Sequence, residues 1–392
     1  MTTFRDLGLR AEIVDALAAH GIDEPFPIQA ATIADALAKR DVCGKAKTGS
    51  GKTLAFGLPM LQTAKAARPG HPTALVLVPT RELAKQVVDV LKPIGKAIGV
   101  RVAAFYGGTS MEKQIKNLRR NIEIAVATPG RLIDLLERNE LDLDEISILV
   151  IDEADRMADM GFLPQVEWLL RKVPSERQTL LFSATLDREV DVLVRRYMRD
   201  PVRHEVVSTT QTVEEMMHRF LKVHDLDRVK VLAAIAGGVP RTMVFVRTKR
   251  GADKLVSQLK REGVHAAAIH GDLRQSAREK ALRDFQEDEH GVLVATDVAA
   301  RGIHVDDVDV VVHYDPPEEH KSYVHRSGRT ARAGNEGIVV TFVLWNQELE
   351  VERLQRRLGM REPIIEVFSN DPRLADLATL DSPAPRRKAA TA

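Results

Sequence analysis

Eight residues, AKTGSGKT at 46–53, set two glycines, a lysine and a threonine in an order that suits binding of a phosphate chain. Gly49 and Gly51 let backbone N–H groups fold around phosphate oxygens, Lys52 can reach the β- and γ-phosphates, and Thr53 can place its hydroxyl on Mg²⁺. Ala46 stands where the pattern usually opens on glycine, and Lys47, Thr48 and Ser50 complete the loop. The plainer alternative, a turn before a helix, would need GSGKT to arise by chance.

A phosphate loop of this kind calls for a metal-holding carboxylate at the end of a neighbouring strand. In SILVIDEADR (147–156) an apolar run leads straight into Asp152, Glu153 and Asp155. Taken alone, that is better read as a solvated acidic turn. With AKTGSGKT in the same chain, Asp152 falls at the carboxyl end of a strand, where open α/β sheets bind ligands. Asp152 then holds Mg²⁺ through water, and Glu153 orients and deprotonates an attacking water. Farther on, HRSGRTARAG (325–334) spaces Arg329 and Arg332 one helical turn apart. On a helix that spacing points both guanidiniums the same way, as phosphate contact requires; the alternative is a basic, solvent-facing helix start. If the two halves of the chain face each other across a cleft, these arginines reach γ-phosphate charge only on closure.

These residues must be positioned by strands and helices, and the pattern supplies them. Continuous apolar runs such as ALVLV (74–78), IAVA (124–127), ILVI (148–151) and TLLFS (179–183) read as buried parallel strands alternating with helices. The scheme repeats: TALVLVPTRELAKQ (73–86) resembles RTMVFVRTKRGADKL (241–255), EIAVATPGR (123–131) resembles GVLVATDVAARG (291–302), and ILVIDEAD (148–155) resembles DVVVHYDPP (309–317). Three pairs in one order predict two copies of one α/β fold. The expected division is a first domain over 1–207, a linker over 208–216, a second domain over 217–370 and a disordered tail over 371–392.

Composition fits a two-domain globular chain: 392 residues, 44% hydrophobic and 29% charged. No apolar run approaches the ~20 residues needed to span a bilayer, and the start MTTFRDLGLR lacks a signal-peptide core, so no membrane and a cytoplasmic location are expected. Cys43 alone excludes an internal disulfide and an all-cysteine metal site. A net charge of +1 does not announce a nucleic-acid binder, so any such surface must be local.

Together these segments resemble the DEAD-box ATP-dependent RNA helicases of superfamily 2, over nearly the whole chain from Phe4 to about residue 370. The family motifs stand in family order: FPIQ (26–29) with upstream Phe4, AKTGSGKT, PTRELA (79–84), GG (107–108), TPGR (128–131), DEAD (152–155) and SAT (183–185). In the second half come VFVRTK (244–249), HGDLRQSAR (270–278), TDVAARGI (296–303) and HRSGRTARAG. The resemblance implies a compact member of two tandem RecA-like domains joined by a short linker with a cleft between them, binding ATP, Mg²⁺ and RNA as a monomer. Gln29 would read adenine through its amide, with Phe4 and Ile22 near the base. Ser183 and Thr185 would bond towards Asp155 and couple the nucleotide to RNA. The RNA backbone would cross Arg81, Gly108, Thr128, Gly130 and Arg131, then Arg247, Gly271, Gln275, Arg278 and Thr296, without sequence readout.

Three positions depart from the family. Ile22 follows Gly21 where an aromatic usually stacks on adenine, and Phe26 replaces a usual threonine. His304 stands in RGIH where aspartate usually meets the ribose hydroxyls; a neutral histidine accepts one hydrogen bond, not two. The function implied is RNA-stimulated ATP hydrolysis coupled to local, non-processive separation of short duplexes or remodelling of RNA–protein complexes. An ATP-gated RNA clamp and a DNA-directed motor are the alternatives. No RNA-binding domain is recognisable after residue 370, so the physiological RNA and any protein partners are left open.

Overall fold

The structure, a computed structural model, describes residues 2–46, 49–206, 216–287, 291–300, 305, 308–330 and 337–381. The chain divides into two compact units, Met1–Ser208 and Thr209–Ala392. Most of the expected linker lies outside the described residues, as do Lys47, Thr48, His304 and Arg332.

In the first unit seven strands pair in parallel: β1 (Val42–Lys45), β2 (Ala74–Leu77), β3 (Val102–Phe105), β4 (Ile124–Ala127), β5 (Ile148–Asp152), β6 (Gln178–Ser183) and β7 (Val202–Glu205). Their order across the sheet is β3-β4-β2-β5-β6-β1-β7. The runs are apolar at every position because both faces are covered. Ala74 and Val76 of β2 pack into one core, while Leu75 and Leu77 pack into the other. Leu83, Val87 and Leu91 of the helix Arg81–Ala97 fill the first core; Leu132 and Leu135 of the helix Pro129–Glu137 fill the second. Each fully buried leucine contributes roughly 1.5 to 3 kcal/mol.

The second unit holds β8 (Met217–Lys222), β9 (Thr242–Val246), β10 (Ala266–Ile269), β11 (Val292–Thr296), β12 (Val310–His313), β13 (Ile338–Val343) and β14 (Ile364–Glu366). Their order is β10-β11-β9-β12-β13-β8-β14, the same permutation again. The three sequence pairs fall on matching strands, β2 with β9, β4 with β11 and β5 with β12, so the chain carries two RecA-like sheets. The local switch after β2 and β9 also repeats. Thr80 caps the helix Arg81–Ala97 by accepting from Leu83 N–H at 3.3 Å, and Thr248 caps Lys249–Arg261 by accepting from Gly251 N–H at 3.0 Å.

One expectation needs correction. Disorder from residue 371 does not hold through 381, because Leu374, Leu377 and Leu380 are buried at 1%, 3% and 1% exposure in the core of the second unit. Arg219 Nε donates to the Leu377 carbonyl at 3.0 Å. Leucines three apart on short 3₁₀ turns bury one apolar edge, which the polar composition of the segment conceals. Among the described residues no helix is long and apolar enough to cross a membrane.

Candidate functional site

The phosphate loop leaves β1 with Ala46 N–H donating to the Ser183 carbonyl at 3.0 Å, which ties it to the end of β6. Gly51 then opens the helix Lys52–Thr63 at φ 86°. A Cβ there would lie 2.4 Å from Gln29 Nε2 and 2.6 Å from a Phe26 ring carbon, so the position demands glycine twice over. Ala46 is not among the described residues with positive φ and its methyl joins the core, so the backbone at this position does not require glycine. Lys52, 6% exposed, turns back and donates to the Ala46 carbonyl at 3.1 Å. A phosphate entering the loop would meet a lysine that is already aimed inward.

Gln29 joins the loop to the segment before it. Its Oε1 accepts from Phe26 N–H at 2.9 Å, and its Nε2 donates to the Gly51 carbonyl at 2.9 Å. One amide N–H and part of the oxygen's capacity are left for a ligand. The Phe26 ring lies along the flank of Gly51, half in solvent at 54% exposure. A ring there props the loop from one side, a role a threonine could not fill. Phe4 is placed differently from expectation: it is 1% exposed within the core and presents no open ring face for stacking. Ile22 is half-buried and packs against the same core.

Asp152 ends β5, and in the sheet order β5-β6-β1 the acids, the SAT segment and the phosphate loop leave three successive strand ends. Asp152 is 2% exposed and accepts from Glu153 N–H at 2.9 Å. Burial pushes its pKa up to about 6, against the pull of Lys52, with Glu153 and Asp155 adding to the rise. Glu153 is itself buried in the left-handed region at φ 54°, ψ 49°, a conformation that costs a non-glycine residue energy and that concentrates at functional sites. Its carboxylate is paired with the Arg156 guanidinium, a partner the sequence reading did not single out although the i, i+3 spacing was visible. Asp155 Oδ2 accepts from Thr185 N–H at 3.0 Å and from its hydroxyl at 3.3 Å, while Asp155 N–H donates to Ser183 Oγ at 3.1 Å.

The other side of the same sheet gathers the residues expected on RNA. Arg81, Gly108 and Thr128 follow the carboxyl ends of β2, β3 and β4, which are neighbours in the order β3-β4-β2. The Arg81 guanidinium lies so close to Gly108 that a Cβ there would sit 2.0 Å from it. Arg131, 9% exposed, donates to the carbonyl of Thr109 at 3.4 Å and lies 3.8 Å from Asp134. Thr128 and Gly130 form the opening turn of the helix Pro129–Glu137. The structure thus brings Arg81, Gly108, Arg131 and that helix start into one patch.

In the second unit Arg247, Gly271 and Thr296 follow or end β9, β10 and β11, the equivalent three strands. Arg247 N–H donates to Asp315 Oδ2 at 2.8 Å, Gln275 Nε2 donates to Glu279 at 3.2 Å, and Arg278 is buried with Nη2 3.5 Å from the Ala299 carbonyl. The helix His320–Ser327 ends before Arg329, so Arg329 does not lie on it, and Arg332 lies outside the described residues. Arg329 is 9% exposed and packs just past the helix end. Sequence reasoning passed over Arg326, which clamps Asp297 with Nε and Nη2 at 2.6 and 2.7 Å, donates to the Asp315 carbonyl at 2.8 Å and lies over the Phe245 ring. Both partners stand inside recognised motifs, so their opposite charges were the available signal.

Fold and site together define a protein of two RecA-like sheets whose first unit carries a phosphate loop beside strand-end acids. A DEAD/DEAH box helicase family matches residues 26–193, and a helicase conserved C-terminal domain matches residues 222–334. The chain is 42% identical over 358 residues to the DEAD-box ATP-dependent RNA helicase CshA of Geobacillus kaustophilus, covering 91% of this chain and 76% of that protein. It is 44% identical over 345 residues to the ATP-dependent RNA helicase CshA of Listeria monocytogenes, covering 88% of this chain and 66% of that one. Among solved structures, S. cerevisiae Dbp5 bound to RNA and ADP BeF3 matches with a TM-score of 0.80 and 31% identity, covering 95% of this chain and 97% of that one. The chain belongs to the DEAD-box ATP-dependent RNA helicases, enzymes that hydrolyse ATP.

Proposed function

We propose that this helicase couples RNA-stimulated ATP hydrolysis to local, non-processive separation of short RNA duplexes or remodelling of RNA–protein complexes. One observation carries the reading. The GSGKT loop and the acids leave the ends of β5-β6-β1, and the Arg81–Gly108–Arg131 patch lies at the ends of β3-β4-β2 of the same sheet, which supports assigning nucleotide and RNA to one edge.

A buried carboxylate pushed up to about 6 by desolvation, as Asp152 is, suits a divalent cation, whose charge would offset that cost. Thr53 and Asp152 would hold Mg²⁺, which when bound neutralises phosphate charge. Lys52 exchanges its bond to the Ala46 carbonyl for the outer phosphates, and Gln29 turns its remaining amide capacity to adenine. Glu153 receives the proton of the attacking water. Arg329 and Arg332 are assigned to charge developing on the γ-phosphate. The RNA of the related Dbp5 structure supports assigning Arg81, Gly108, Thr128, Gly130 and Arg131, with Arg247, Gly271, Gln275, Arg278 and Thr296, to an RNA backbone.

The test pairs ATPase with strand displacement. RNA is expected to stimulate hydrolysis more than DNA does, and a short duplex is expected to separate faster with ATP. Glu153→Gln should keep ATP and RNA binding and lose turnover. Hydrolysis without faster strand release would favour a clamp, and equal stimulation by DNA a DNA motor.

A further inference from the structure

β3 is one of the two outer strands of the first sheet, and a groove of about 310 Å³ lies beside it. The helices Arg81–Ala97 and Met111–Leu118 form its walls. Lys85 and Lys92 stand four and eleven residues after Arg81, on the same face of their helix, and Lys113 answers them from the opposite wall. All three lysines are exposed. No carboxylate is among the described residues lining the groove; Glu82, Asp89 and Glu112, on the same helices, do not line it.

The floor is built for close approach by a backbone. Ala103 and Ala104 of β3 keep it shallow. β3 spends the carbonyls of Arg101 and Phe105 on Ile124 and Thr128 N–H groups at 3.1 and 3.0 Å. In a parallel ladder alternate residues face opposite neighbours, so the backbone N–H and C=O of Val102 and Ala104 turn to the open edge. N–H groups and lysines suit phosphate oxygens, and carbonyls suit ribose hydroxyls. Thr109 and Ser110 also line the groove. Thr109 accepts from Arg131 and directly follows Gly108, which abuts Arg81, so the groove adjoins the patch already assigned to RNA.

We propose that this groove extends the RNA track: the single strand leaving the Arg81–Gly108–Arg131 patch lies along β3, its phosphates on Lys85, Lys92 and Lys113. The inference rests on the RNA reading above and adds a stretch of strand that reading does not include. Continuity with that patch favours RNA over an acidic peptide pairing with the β3 edge.

The experiment uses the full chain carrying Lys85→Gln, Lys92→Gln and Lys113→Gln, with a non-hydrolysable ATP analogue. Binding is measured for single-stranded RNAs of about 6 and about 12 nucleotides, lengths within the usual range of single-strand sites. The shorter RNA should bind the variant as it binds the unaltered chain. The longer one should bind about tenfold more weakly, with its salt dependence flattened by about 2, since each single-strand phosphate contact contributes about 0.7. Equal affinity of both chains for the longer RNA, or equal losses on both RNAs, overturns the proposal. So does a glutamate-rich peptide that binds the unaltered chain and loses affinity for the variant while the longer RNA does not. Failure of the underlying RNA reading would look different: Arg81→Ala would then leave the shorter RNA's affinity unchanged.

Discussion

Asp155 takes two hydrogen bonds from one residue, the N–H of Thr185 at 3.0 Å and its hydroxyl at 3.3 Å. With Ser183 Oγ accepting from Asp155 N–H at 3.1 Å, the end of β6 is sewn to the acidic turn after β5. Thr185→Val keeps the shape and removes the hydroxyl bond, worth about 1 kcal/mol. Basal ATP hydrolysis is expected to stay within about threefold, since Asp152 and Glu153 keep their own contacts when this hydroxyl bond is lost. Stimulation by RNA and strand displacement should fall by about tenfold. ATPase titrations with and without RNA check this; an unchanged ratio of stimulated to basal rate would count against coupling through this joint.

Gly51 is expected to tolerate no side chain. At φ 86° with Gln29 Nε2 2.4 Å from the site of a Cβ, Gly51→Ala strains the backbone and displaces the amide that secures the loop. The left-handed conformation alone costs an L-residue about 1 to 2 kcal/mol. ATP affinity should fall by about a hundredfold or more, since the loop geometry is itself the binding site. Nucleotide titration by fluorescence, beside a thermal unfolding curve that shifts by only a few degrees, is the measurement.

Asp152 is expected to trade stability for activity. Because burial raises its pKa to about 6 from 3.8, the folded chain is favoured with this carboxyl neutral; the contribution is full below pH 3.8 and lost as pH rises through 6. Asp152→Asn removes that cost, so at pH 7.5 the nucleotide-free chain should gain about 1 to 2 kcal/mol in urea unfolding. ATP hydrolysis should drop at least about a hundredfold. Loss of both stability and activity would contradict the account.

His313 should make the second unit acid-sensitive. It is fully buried at the end of β12, its Nδ1 3.3 Å from the Thr341 hydroxyl and its ring edge-on to Tyr323 at 4.6 Å. Burial first, then the charges of Arg326 and His218, holds its pKa well below 6.5. Folding is therefore favoured by the neutral ring: the contribution is full above pH 6.5 and lost as pH falls towards the depressed value, at up to about 1.4 kcal/mol per pH unit. Urea unfolding at pH 7 and pH 5 should show this loss, and His313→Gln should flatten it. An identical pH slope in the variant would reject His313 as the source.

His304 lies outside the described residues, and its prediction rests on chemistry alone. A neutral imidazole accepts one hydrogen bond where a carboxylate accepts several, so ATP and dATP should be turned over more nearly alike than in His304→Asp. The ratio of kcat/KM for the two nucleotides, measured in both chains, decides it; an unchanged ratio removes the assignment.

Much was legible without coordinates, for reasons that belong to local chemistry. Parallel strands buried on both faces must be apolar throughout, so β2, β4, β5 and β6 showed as runs, and the repeat of β2, β4 and β5 in β9, β11 and β12 announced two like sheets. GSGKT and DEAD are short because a phosphate loop and a strand-end acid are local devices. By itself the sequence determined the fold class and the family, and it marked Lys52, Asp152 and Glu153 as the residues to which the chemistry is assigned. The tertiary structure decided which groups meet. Only strand order sets β5, β6 and β1 side by side, and only packing seats Arg81 on Gly108, encloses Phe4, folds Leu374 to Leu380 onto the core and clamps Arg326 to Asp297. These contacts join residues far apart in the chain, and the free energy that selects them comes from burial and pairing across the whole unit, which no local pattern encodes.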